Sequence, residues 1–120
     1  SMTIDEIIAN VDGIKPNVYT DEDKTKWISD LDGKLCREVM HRDSIAGYEY
    51  PRDADTQVLV GAPYDDIYTF YLMAMIDFCN KDYGMYMNTM EMFNNAFDIY
   101  AKQYIRNNMP PDSGGFKNYM

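Results

Sequence analysis

The chain reads as an all-α protein: a small four-helix bundle-like domain built around a central antiparallel helical hairpin. Three observations carry that expectation. Four segments repeat apolar residues at three- and four-residue spacing, the mark of one helix face. Two of them open on threonines followed by acidic residues, the chemistry of a helix start. The stretch from Pro63 to Cys79 is apolar almost all round, which describes a helix surrounded by other elements.

The first helix is expected from Ile4 to Val11. Thr3 and Glu6 stand at capping-box spacing, and Ile4, Ile7, Ile8 and Val11 form one apolar stripe. Gly13 is read as its end, and Pro16 prevents its resumption. A second helix begins after Thr20, with Asp21, Glu22 and Asp23 at the positive end of its dipole. Its core stripe is Trp27, Ile28, Leu31, Leu35 and Val39, ending near Met40. Asp23, Lys26, Asp30, Lys34 and Arg37 form its solvated face.

The hairpin is expected over 63–79 and 83–107, joined by the tight turn Asn80-Lys81-Asp82. Pro63 suits a first helical turn, where its missing N–H has no helical partner anyway, and Asp65 and Asp66 follow at the dipole end. The third helix carries two apolar stripes, one of Tyr64, Tyr68, Leu72 and Met75, the other of Ile67, Tyr71, Ala74 and Phe78. Two faces need two partners: the first two helices cover both, or one face meets another subunit. In the fourth helix Tyr86, Met90, Phe93, Phe97, Tyr100 and Tyr104 make a heptad-like seam, suited to lie lengthwise along an antiparallel neighbour.

Residues 1–108 form the expected single domain. Within it, 41–62 has no period and is read as a long irregular loop. Its short apolar run Val58-Leu59-Val60 either covers the core or adds an edge to something outside. Residues 109–120, rich in proline and glycine, are read as a flexible tail. Phe116, Tyr119 and Met120 suit that tail to dock on the body or on a neighbour. Both loop and tail are expected to be mobile in the isolated protein.

Composition narrows the function. With 46% hydrophobic and 26% charged residues, 120 residues sustain one core. A net charge of −9 argues against gripping phosphate backbones, which takes clustered Lys and Arg. No apolar run approaches the ~20 residues of a membrane span, and the polar, acidic N-terminus is read as lacking a leader. Ser1 before Met2 reads as a cloning remnant. Cys36 and Cys79 are read as reduced and buried, and with the single His41 they lack zinc spacing. No glycine-rich phosphate cradle appears. Asp53, Asp55, Asp65 and Asp66 leave acid–base chemistry open by inventory alone. The expectation is no enzyme, no cofactor and no metal.

Eleven tyrosines and ten methionines exceed what a plain core needs. Tyrosine serves surfaces that are sometimes wet and sometimes covered, and methionine adapts to irregular partners. Met85, Met87 and Met92 fall off the seam of the fourth helix. The candidate subunit or partner interface is therefore Tyr48, Tyr50, Val58, Leu59, Val60, Tyr64, Tyr68, Met85, Met87, Phe116 and Tyr119.

The run YEYPRDADTQVLVGAPYDDIYTFYLMAMIDFCNKDYGMYMNTMEMFNNAFDIYAKQYIR, behind a capped short helix and a tryptophan-bearing second one, resembles small helical proteins of prophages in Gram-positive bacteria. Those resemble the head–tail connector (adaptor, head-completion) proteins of long-tailed phages. The resemblance is carried by Leu59 through Pro63-Tyr64-Asp65-Asp66, by Tyr71-Leu72 to Ile76-Asp77, and by Met92-Phe93-Asn94. It implies an all-α subunit that forms a ring of about a dozen copies on the portal, between capsid and tail. The implied partners are other copies, the portal protein and a tail-proximal neck protein, with DNA passing through unbound. The implied location is the host cytoplasm during assembly and then the virion neck. The competing expectation is a stand-alone regulatory interaction module that binds a partner in a groove between the second and third helices.

Overall fold

Thr3 and Glu6 cap one another: the Glu6 N–H donates to Thr3 Oγ1 (3.2 Å) and the Thr3 N–H donates to the Glu6 carboxylate (2.8 Å). From that box α1 runs over Ile4–Ile14, in a computed structural model that describes residues 2–43 and 47–108. The remaining helices are α2 (Asp21–Glu38), α3 (Asp66–Cys79) and α4 (Tyr83–Asn107), so the chain is a small all-α, bundle-like domain. α1 passes through Gly13 instead of stopping there: the N–H of Lys15, two residues beyond it, still donates to the Val11 carbonyl (2.8 Å). α3 starts at Asp66, three residues later than expected. Pro63 follows a cis bond to Ala62 and lies in a turn closed by the Tyr64 N–H on the Gly61 carbonyl (3.0 Å), outside the helix.

The core gathers the α1 stripe (Ile4, Ile7, Ile8, Val11), the α2 stripe (Ile28, Leu31, Leu35) and the inner face of α3 (Ile67, Leu72, Ile76). Trp27 stays half-buried at the edge, against the Tyr19 ring. α1 and α2 thus cover one face of α3, and α4 covers the other. Both faces of the double-striped third helix are thus covered within the chain, but the second by α4 and not, as expected, by the first two helices. Two ion pairs cross these packings. Buried Lys24 reaches Asp12 (2.7 Å), and Lys15 reaches Asp77 (2.7 Å), which also accepts from the Thr89 hydroxyl of α4 (2.8 Å).

The hairpin turn has a defined chemistry. The Lys81 N–H donates to Phe78 and the Asp82 N–H to Asp77, while Lys81 adopts φ 61°. These two bonds satisfy orphan carbonyls at the end of α3, and the left-handed position between them is one glycine usually fills. α2 closes similarly: the Arg42 N–H donates to Cys36 (2.8 Å) with His41 at φ 53°. The lone histidine is therefore a helix terminator at the surface. A β-carbon in left-handed backbone costs about 1 kcal/mol. Lys81→Gly is thus expected to raise stability by about that amount, measured as a higher denaturant midpoint with unchanged slope.

Candidate functional site

The described part of the segment between α2 and α3 is irregular, as expected, yet it is tied down at several points. The reason is Asp32, on α2 and fully buried. Its Oδ1 accepts from the Tyr68 hydroxyl (2.5 Å), and its Oδ2 accepts from the Tyr48 hydroxyl (2.6 Å) and the Leu59 N–H (3.2 Å). The Tyr68 oxygen in turn accepts from the Val60 N–H (3.0 Å). One carboxylate thereby joins α2, α3 and two stretches of the connecting segment. Burial raises its pKa above the ordinary carboxylate value of 3.8, against the lowering pull of Tyr48, Tyr68 and the Leu59 N–H. The same burial, together with the neighbouring carboxylate, pushes the Tyr48 and Tyr68 hydroxyls above the ordinary 10.0.

Earlier in the segment, the N–H groups of Ile4 and Asp5 donate to the Thr56 and Ala54 carbonyls (3.1 and 2.9 Å). These are orphan donors at the start of α1, so the segment completes the cap that Thr3 begins. A single bridge between Thr3 and Gln57 extends the contact. The Tyr50 hydroxyl reaches Asp5 (3.2 Å). Arg52 folds onto Asp53 and holds that carboxyl below the usual carboxylate range, with the Glu49 N–H adding to the effect.

This arrangement corrects much of the interface expected from the sequence. Tyr68, Val58 and Val60 are 0%, 4% and 1% exposed, so no partner reaches them. Leu59 and Tyr48 are half-buried, each bonded to Asp32, and Tyr50 is half-buried against α1. The described part of 41–62 is a strap across the core, where a mobile contact arm was expected. Tyr64 is half-buried against the Tyr100 ring, at 5.8 Å between centroids. Cys79, expected to be buried, is exposed. Phe116 and Tyr119 lie outside the described residues.

Met85 and Met87 are exposed, and they belong to a larger feature. α4 has 25 residues, of which Thr89 and Phe93 alone are buried. Among the helices its backbone neighbours α3 only, through the expected seam from Tyr86 to Tyr104. One flank of it leaves Met85, Met92 and Ile99 about half exposed, seven residues apart and so on one line. Met87 and Ile105 are exposed on the opposite flank of the helix. Where the start of α3 meets α4, a groove of about 360 Å³ opens between Tyr64 and Phe70 on one wall and Met92, Ala96 and Ile99 on the other. The groove expected between the second and third helices is instead filled by the core and the Asp32 network.

Sequence reasoning missed Asp32 and Ile99. Asp32 had a signal: it stands four residues from both Ile28 and Cys36, inside the core-facing arc. Ile99 completes the seven-residue spacing of Met85 and Met92. Among the described residues no three His, Cys, Asp or Glu side chains gather as a metal site, and no helix is long and apolar enough to cross a membrane. Comparison with family models, with curated proteins and with solved structures finds no match to this chain.

Tyr68→Phe removes one bond to Asp32 and strands the Val60 N–H, an expected loss of about 1–3 kcal/mol in chemical denaturation. The raised Asp32 value fixes the sign of its pH dependence. Its contribution is whole in acid, below the unfolded value of 3.8, and declines as pH rises through the folded value. The stability of the wild type relative to Asp32→Asn, which does not titrate there, is therefore expected to fall from acid to neutral pH. Tyr48 and Tyr68 likewise contribute below pH 10.0 and lose that contribution above it. Tyrosinate absorbance for these two is expected to appear only together with alkaline unfolding.

Proposed function

We propose that this chain is a structural assembly subunit, and within that class a phage or prophage head–tail connector. The observation that supports it is the one-sided packing of α4. A 25-residue helix with two buried residues and a line of half-exposed Met85, Met92 and Ile99 is half of an interface. The chemistry of that face, methionine and isoleucine among asparagines, suits packing against protein. On this reading copies join in a ring on the portal protein, and the ring carries a tail-proximal neck protein on its other side. An acidic chain at net charge −9 fits a channel along which DNA slides without being held. The resemblance of Leu59 to Asp66 and of the hairpin helices to connector proteins supplies the specific role.

The groove of about 360 Å³ between Tyr64 and Ile99 favours a second reading, a stand-alone module that takes one partner peptide or helix. The two readings part in one experiment. Purified protein is mixed with the portal ring encoded in the same genome and imaged by electron microscopy. The connector reading expects an added ring of density at the tail-facing end. An unchanged portal, with protein that circular dichroism shows to be helical, overturns it in favour of the module. Lysine at Met85, Met92 and Ile99 together is expected to abolish the added ring. Each substitution is expected to change stability by no more than about 0.5 kcal/mol, as exposed positions do.

A further inference from the structure

The exposed apolar side chains lie in several places, and two of those places complement each other. The first is the groove where the start of α3 meets α4. Met92 and Ile99 on its wall are 47% and 52% exposed. Asp66 is the one charged residue of its described lining. The second place is the turn at the other end of the hairpin. The rings of Phe78 and Tyr83 stand there 6.0 Å apart, each about half exposed. The Tyr19 hydroxyl donates to Asn80 (2.6 Å) and so ties the α1–α2 connection to the same turn. Val18, on that connection, is 90% exposed.

The turn is held in shape although its rings are uncovered. The Lys81 and Asp82 N–H groups donate to the Phe78 and Asp77 carbonyls. The Asp82 carboxylate is turned back onto the Met85 N–H (3.3 Å), and Asp77 is buried against Lys15 and Thr89. Lys81 is exposed and, among the described residues, forms no ion pair. The charge that the turn offers outward is therefore positive. A surface already fixed by the fold loses little further freedom when a partner covers it. Groove and turn do not meet within one chain, because α3 lies between them. Its 14 residues put the two about 21 Å apart along one packed hairpin.

We propose that the hairpin turn of one copy, with Phe78, Lys81 and Tyr83, seats in the Tyr64–Ile99 groove of the next copy, with Lys81 beside Asp66. This rests on the reading of the chain as an assembly subunit and names the contact between its copies. Groove against groove juxtaposes like charge, as does turn against turn. Groove against turn joins opposite charges and covers apolar surface on both sides. A groove of about 360 Å³ has room for an aromatic side chain. A contact between two different surfaces leaves every pair of copies with one free groove and one free turn. Copies therefore add one after another, and a rotation that closes makes a ring.

The test follows the mass of the full-length protein by light scattering over a concentration series at low salt, with no portal present. The wild type is expected to gain mass as concentration rises. Lys81→Glu and Asp66→Lys are each expected to weaken that association about tenfold, because each sets like charges together. Mixed in equal parts, the two variants are expected to recover it, since each then finds opposite charge at both of its surfaces. Recovery also shows that neither variant has lost its fold. A wild type that stays monomeric at millimolar concentration overturns the proposal. So does association that either single variant leaves intact, because a contact between like surfaces contains only one of the two residues. A mixture that fails to recover, with both variants helical by circular dichroism, overturns it as well. The connector reading is decided separately, by the added ring on the portal.

Discussion

A carboxylate at the centre of a small hydrophobic domain is the constraint around which this structure is arranged. An isolated buried charge is expensive, and the cost is offset only when its lone pairs are met by donors. Asp32 meets three: two phenols and one N–H. Each donor comes from a different place along the chain, so satisfying the charge dictates where three pieces of backbone lie. Tyr68 is drawn through the core from α3, Tyr48 is drawn back onto α2, and the Leu59–Val60 backbone is fixed between them. Val58 and Val60 then enter the core as a lid. The same segment, once fixed, delivers the Ala54 and Thr56 carbonyls to the start of α1. A single acidic residue thus sets the position of a helix with which it shares no hydrogen bond.

The second organising fact is the division of labour across α3. One of its faces is buried under α1 and α2 by aliphatic packing. The other meets α4 through a column of rings, with Phe78 on Tyr86, Tyr71 on Phe93 and Tyr64 on Tyr100. Rings reach across a helix pair without needing a third layer, and tilted pairs add to their area term. The result is an elongated molecule, 54 × 34 × 21 Å, one helix thick at α4. Its stability is therefore unequal: the α1–α2–α3 side holds most of the buried core, whereas α4 depends on one seam. Elements with few buried apolar contacts sit at the low end of local stability and are the ones that functional surfaces draw upon. Met85, Met87, Met92, Ile99 and Ile105, all exposed, lie on that element, and Ile14 at the end of α1 is exposed as well.

Much of this architecture was legible in the residues. Thr3 with Glu6, and Thr20 before three acids, announce helix starts because capping is a local bond between residues three apart. The Tyr86-to-Tyr104 seam announces an antiparallel neighbour because its period matches lengthwise packing and the turn before it is short. The errors fall where bonding is not local. Pro63 has the right chemistry for a first helical turn, but a turn onto Gly61 claims it. Gly13 has the wrong propensity for a helix, yet the bond from Lys15 to Val11 carries the helix past it. Tyr68, Val58 and Val60 looked like contact residues because their partners lie elsewhere in the chain and give no periodic signal.

By itself, then, the sequence determined the helical class, four helices with nearly their final bounds, the hairpin and the seam that closes it. All of these rest on spacings of three, four or seven residues along one stretch of chain. Only the tertiary structure decided that an acid inside the α2 stripe becomes a hub, that the irregular segment is a strap, and that the uncovered surface belongs to α4. Those outcomes depend on which distant groups satisfy a buried charge and on how many neighbours each helix finds. Neither quantity is written in any local pattern of residues.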